Sequence, residues 1–347
     1  VRLTRTTLLR SLKGAAMVAV LALLGRTLAG TDLTRVAAQV RSAGGWVFVG
    51  VVPYALAVLA DAVAWQTLLA GASQPALATL VRVRMRCDAF GVTLPGGTLV
   101  AESMAPGWLR AAMPIEAGVA AVAGRKCFVG LAESLYLFAS FGLGFSLLRA
   151  RAPMLPWVVL GLAAGMLALF GGSALLLASG SVTERVQRWL AAVPIARVRN
   201  WLASNARSFR STDARLASLF HGDRRRLVAA CFLFLVAWSI ESLETWVLLR
   251  LVGVGLPLAS VFAFEASVSL LRSFAWFMPG GLGLQDLGYV AALGALGVPE
   301  AATAGAAFLV LKRAKELVWA AVGYATLVPA RVPRAGSAAP RLLGGAQ

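Results

Sequence analysis

Twice along the chain, a carboxylate stands seven residues after the proline of a Pro-Gly-Gly triplet. The first copy is Pro95-Gly96-Gly97 with Glu102; the second is Pro279-Gly280-Gly281, followed by Gly283 and Asp286. An arginine precedes each proline, Arg86 by nine residues and Arg272 by seven. Downstream of each unit, Arg125 and Arg313 each stand eleven residues before a tyrosine, Tyr136 and Tyr324. Carboxylates so placed can bind a proton or orient the turn by accepting its N–H groups. The arginines can hold a phosphate through charge-assisted, often bidentate, bonds, or neutralise those same carboxylates. Lys312 and Arg313 lie four and three residues before Glu316, the spacing of neighbours on one helical face. Other chemistry is missing. The chain has no HExxH, no GxSxG and no GxxxxGK[ST]. The stretch from Gly280 to Asp286 superficially resembles the Gly-x-Gly-Asp of intramembrane aspartyl proteases, but its Asp does not directly follow a Gly and no second Asp motif accompanies it. Cys87, Cys127, Cys231 and the single His221 are too scattered for a zinc site or a disulfide framework. The expectation is a protein that is not an enzyme and uses no metal or cofactor.

The segments that carry these residues belong to a membrane protein. Of 347 residues, 59% are hydrophobic and 14% charged, against about a quarter charged in a soluble domain. The mean hydropathy is +0.78. No polar block is long enough for a soluble domain, so residues 1–347 are read as one all-α, polytopic membrane domain. Apolar runs near the length of a bilayer crossing, roughly 20 residues, fall near 14–30, 46–72, 127–148, 154–178, 227–252 and 302–330. The first is read as a retained helix rather than a cleaved leader. Two stretches, about 76–111 and 256–298, are too broken to cross simply, and each holds a Pro-Gly-Gly.

Charge orients the scheme. The excess of 33 Lys+Arg over 15 Asp+Glu lies between apolar spans, which points to the positive-inside bias and anionic head groups rather than to nucleic acid. Segment 181–226 carries ten arginines and three acids, with Trp189, Trp201 and Phe209 among them. It is either an amphipathic helix on the membrane surface or a solvated loop, and in both cases cytoplasmic. The acid-free N-terminal tail and the tail 331–347 belong on the same side. Arg149 and Arg151 run against the scheme.

The match between the broken regions extends outward. Trp65 precedes Pro75 by ten residues, and Trp246 precedes Pro257 by eleven. The order of matched positions indicates an internal duplication, unit one about 46–178 and unit two about 227–330. Counting crossings makes the units antiparallel, an inverted repeat of the kind that places transporter sites where broken helices meet. Pro removes a backbone donor and Gly permits unusual dihedrals, so each Pro-Gly-Gly is read as the turn of a re-entrant helical hairpin lining protein or a wet cavity. The helix after such a turn presents free N–H groups to anions. Asp61, Glu102, Glu133, Glu241, Glu244, Glu265, Asp286 and Glu316 also lie in or beside apolar segments. A charge facing lipid costs about 2.5–3.5 kcal/mol even on the lenient insertion scale, so most must face protein, water or the interface.

Leu94-Pro-Gly-Gly97, Pro279-Gly-Gly-Leu-Gly-Leu-Gln-Asp286 and Leu311-Lys-Arg-Ala-Lys-Glu-Leu317 resemble the flippase-like family known as the lysylphosphatidylglycerol synthase transmembrane region. The resemblance covers about 10–330 and looks closest to the hopanoid-biosynthesis-associated branch. Asp286 takes a position where the family usually has Glu, and Ala101-Glu102 stands where it often has Gly-Glu. The resemblance implies a protein that moves or handles lipids. In aminoacylating members a cytoplasmic synthase domain follows; this sequence ends at Gln347 without one, and the expectation is that it does not itself make an aminoacylated lipid. The reading is thus a flippase-like transporter of a phospholipid or a polyprenyl or hopanoid-type lipid, in a bacterial inner membrane with both termini cytoplasmic. Arg86, Arg125, Arg272, Lys312 and Arg313 would engage the head group, and Glu102, Asp286 and Glu316 would tune the cavity. The alternative is a non-transporting scaffold that holds a lipid-modifying enzyme through 181–226.

Overall fold

A computed structural model describes residues 31–69, 74–151, 154–191, 204–274 and 277–328, with isolated positions 22, 25, 26, 200 and 202. Apart from positions 22, 25 and 26, the expected first span lies outside the described residues, as do the two basic tails. Among the described residues every regular element is helical. The α-helices are α1 (Leu33–Ser42), α2 (Val52–Leu68), α3 (Leu77–Thr93), α4 (Gly97–Trp108), α5 (Ile115–Arg151), α6 (Leu155–Ala178), α7 (Val182–Ala191), α8 (Ala206–Phe220), α9 (Arg224–Leu251), α10 (Leu258–Phe274), α11 (Leu284–Ala295) and α12 (Ala301–Ala325). A 3-10 segment, Gly44–Val51, leads into α2.

Among the described residues four stretches are long and apolar enough to cross a membrane: Gly44–Leu68, Ile115–Leu143, Trp157–Ala178 and Arg224–Leu251. They match four of the expected spans, with one shifted start. Helix α5 begins twelve residues before the expected 127, because the charge of Arg125 that broke the apolar run is neutralised by Asp61 on α2. Helix α12 covers most of the expected 302–330 but carries Lys312, Arg313, Lys315 and Glu316 in its middle, and all four find protein partners.

Local chemistry sets the ends. Asp32 caps α1 by accepting from the N–H groups of Thr34 and Arg35, and Asp223 caps α9 through Arg225 N–H. Segment 181–226 is mostly helical where it is described. Asp213 of α8 accepts from the backbone of Thr183 and Glu184, capping α7. The buried face of α8, with Leu216 and Leu219, packs on α5 and α6, so protein rather than membrane takes that face. Trp189 on α7 is 76% exposed.

Helices α2 and α9 pack closely and run antiparallel. Gly50, just before α2, meets Leu248 near the end of α9, while Leu68 shares a cluster with Ala230 and Phe234 near its start. Around this pair the partnerships are reciprocal: α3 packs on α12, and α10 packs on α5. Tyr136 of α5 reaches Ser242 of α9 and Phe262 of α10, and Tyr324 of α12 reaches Phe90 and Thr93 of α3. Helix α6 turns its apolar side outward, with Leu169 and Leu175 exposed, as a lipid-facing helix requires.

Candidate functional site

Each Pro-Gly-Gly ends one helix and starts another. Helix α3 stops at Leu94, which is extended, and α4 starts after Gly96 at φ 64°. The two arms touch at the turn, where a Cβ on Gly97 would run into the Phe90 carbonyl. After α10, the second turn passes through Gly280, Gly281 and Gly283 at φ 53°, 65° and 84° before α11 begins. These backbones suit glycine and few other residues. Helix α11 folds back on α10, with Gly288 against Leu271 and Val268.

The two turns meet. A Cβ on Gly280 would lie 3.4 Å from the carbonyl oxygen of Val92, in the last turn of α3. Arg313 of α12 fastens the junction. Its Nη1 donates to the Gly280 carbonyl at 3.0 Å and to Glu316 Oε2 at 2.5 Å, and its Nη2 to Asp286 Oδ1 at 2.5 Å. Asp286 Oδ2 accepts from the N–H of Gly283 at 2.9 Å. Asp286 thus orients its own turn, one of the two roles its position offers.

Glu102, its sequence counterpart, does something else. Helix α4 starts directly after the turn, so Glu102 is its sixth residue and sits beyond the first helical turn; α11 starts later, so Asp286 is its third. Glu102 accepts instead from Lys126 Nζ of α5 at 2.7 Å, a partly exposed pair. The two carboxylates equivalent by spacing are not equivalent in geometry.

The expected lipid-binding cations are mostly engaged with protein. Arg125 makes a bidentate pair with Asp61, at 2.9 and 2.7 Å, over the ring of Trp65. Arg272 lies over Trp238, 3.8 Å from Glu241, in a cluster where Glu133 accepts from Ser269. Lys312 is 3.8 Å from Glu265 and 3.4 Å from the hydroxyl oxygen of Thr245. Arg86 is the exception among the five. It donates to the carbonyl and hydroxyl oxygens of Thr326 at the end of α12, beside Trp108, and among the described residues pairs with no carboxylate.

Two largely buried networks hold Arg125 and Lys312 among partners that the sequence reading did not assign to sites. One joins Asp61, Arg84, Asp88, Arg125 and Tyr54 across α2, α3 and α5. The other joins Glu244 and Thr245 of α9, Glu265 of α10, Gln285 and Tyr289 of α11, and Lys312 and Lys315 of α12. The i,i+3 spacing of Lys312 and Lys315 was the available signal; their partners are far apart in sequence. Among the described residues no group of three His, Cys, Asp or Glu could hold a metal ion. An open cavity of ≈ 380 Å³ at the start of α12, lined by Arg35, Gln39, Pro299 and Glu300, is far along that helix from the turns.

The family model of the lysylphosphatidylglycerol synthase TM region matches residues 11–323, and the chain belongs to that family. No curated protein and no solved structure matches it. The family ties the chain to lipid metabolism in a membrane.

Proposed function

We propose that this member of the lysylphosphatidylglycerol synthase TM region family is a flippase-like transporter that moves a phospholipid or a polyprenyl or hopanoid-type lipid between leaflets. The observation that carries the reading is the meeting of two glycine-rich turns inside apolar helices, fastened by one arginine. Irregular backbone at membrane depth needs protein or water around it, and two turns that share one contact form a natural gate. The antiparallel packing of α2 on α9 and the reciprocal pairs α3 with α12 and α10 with α5 support an inverted repeat with two re-entrant hairpins. In this reading both termini and α7–α8 are cytoplasmic, in a bacterial inner membrane. Arg86, the one expected cation free of a carboxylate, receives the head group; Arg313 receives it only by exchanging a partner.

Reconstitution tests this. Vesicles holding the purified chain should move labelled lipid between leaflets, and Asp286→Asn and Arg313→Ala, if still folded, should not. A wild-type protein that moves none of a broad panel of anionic and polyprenyl lipids would discard the transporter. The scaffold reading rests on the exposed arginines of α7 and α8. It requires that neutralising Arg185, Arg188, Arg207 and Arg210 abolish function while Asp286→Asn spares it.

A further inference from the structure

The network between α9, α10 and α12 is not part of the turn junction, and it is buried. Glu244 and Lys315 side chains are 2% and 7% exposed, Glu265 and Lys312 2% and 8%. Glu265 is fully served: Oε1 accepts from Tyr289, with Lys312 at 3.8 Å, and Oε2 accepts from Thr245. Glu244 is not. Its Oε1 accepts from Lys315 at 2.5 Å, and its Oε2 is buried with no hydrogen-bond partner. An ionised oxygen in that state is costly. A proton on Oε2 removes the charge and leaves the Oε1–Lys315 contact in place.

We propose that Glu244 is a proton-binding site coupled to lipid movement, an inference that rests on the transport reading above. The step is a protonation: the carboxylate plus one proton gives the neutral acid, and Lys315 stays an ammonium. Two lysines and two glutamates balance; with Glu244 neutral the network carries one net positive charge, in surroundings where charge is poorly screened. An anionic head group that enters with the proton restores the balance. The groups facing this site are Tyr54 of α2, Glu241 of α9, Glu265 and Arg272 of α10, Tyr289 of α11, and Lys312, Lys315 and Glu316 of α12. The first-half network offers no such site. Its cations are Arg84 and Arg125, which stay protonated, and Arg125 engages both oxygens of Asp61. Helix α12 joins the site to the gate, because Lys315 adjoins Glu316 and Glu316 shares Arg313 with Asp286 and Gly280.

The test uses the full chain in phosphatidylethanolamine–phosphatidylglycerol vesicles carrying labelled phosphatidylglycerol. With one proton moved per lipid, a pH step of one unit should drive about tenfold leaflet asymmetry. Glu244→Gln should collapse that asymmetry to near unity, and Glu244→Asp should keep it. Infrared difference spectra through a pH titration of the same samples should show a protonated-carboxyl band that Glu244→Gln lacks. An equal band in folded Glu244→Gln overturns the proposal. So does wild-type translocation that ignores the gradient, an outcome that leaves transport standing. If wild type moves no lipid but the Glu244 band is present, the transport reading falls and the proton site remains.

Discussion

The pair Asp61–Arg125 decides whether Arg125 holds lipid or holds the fold. Both side chains are about nine-tenths buried, at 9% and 10% exposure, and two bonds of 2.9 and 2.7 Å join them. Removing one partner of a buried pair costs about 3–5 kcal/mol, because a buried charge is left alone. The structure makes the two single losses unequal. Without Asp61, Arg125 has no substitute, since Glu102 already takes Lys126. Without Arg125, Asp61 keeps Arg84, whose Nε is 3.4 Å away. Asp61→Asn should therefore reach the upper end of that range and Arg125→Met the lower, about 3 kcal/mol. Methionine also keeps an apolar contact with the Trp65 ring beneath Arg125. Removing both charges together should cost only about 1–2 kcal/mol, so the coupling should be about 6 kcal/mol. Equilibrium unfolding in mixed detergent micelles, followed by tryptophan fluorescence, measures all four proteins. Additive single losses, or an Arg125→Met loss larger than that of Asp61→Asn, would refute the reasoning. An Arg125→Met protein of unchanged stability and weakened affinity for anionic lipid would return Arg125 to head-group binding.

Neighbouring glycines of the first turn should respond differently to alanine. Gly96 has open space around it and φ 64°, so Gly96→Ala should cost about 1–2 kcal/mol in the same unfolding measurement, whereas Gly97→Ala, which drives a methyl into the Phe90 carbonyl, should yield no folded protein on size-exclusion chromatography. Arg313→Lys should cut lipid translocation sharply with its charge intact, because a single ammonium cannot reach Gly280, Asp286 and Glu316 as the guanidinium fork does; wild-type rates in the lysine variant would show that charge alone suffices. Trp189, exposed and next to Arg188, should lie at the head-group level, so brominated lipids should quench a component of the fluorescence that Trp189→Phe removes.

The helix breaks at the two Pro-Gly-Gly triplets were legible in the sequence because proline and glycine act locally: Pro95 and Pro279 stand where one helix ends and another starts. Four of the six expected spans were legible too, through their apolar runs. Partners were not. The spacing that equates Glu102 with Asp286 counts residues from the proline, while their roles depend on where the following helix begins, Gly97 in one unit and Leu284 in the other. Arg125 and Arg313 match by spacing, yet one reaches back to α2 and the other to the adjacent turn. Such choices are made by tertiary packing, which sequence order does not encode. The basic segment was ambiguous between loop and helix because its arginines suit both; the cap that Asp213 makes on α7 comes from thirty residues away.

Pairing also says which of these charges can work. A cation in a bidentate buried pair binds an anion only by first stranding its carboxylate, at about 3–5 kcal/mol, and Arg125 is therefore a poor ligand for anything that must arrive and leave. Arg313 differs, because Asp286 and Glu316 share it and either can release it while the other keeps it balanced. Lys126 differs too, since its side chain is 49% exposed and water replaces Glu102 at little expense. Of these, Arg313 lies at the junction of the turns and Lys126 pairs on α4 beyond the first turn, while the Asp61–Arg125 pair is fixed. The proposed gate needs that division: a rigid pair in the wall and a junction whose bonds can be traded one at a time.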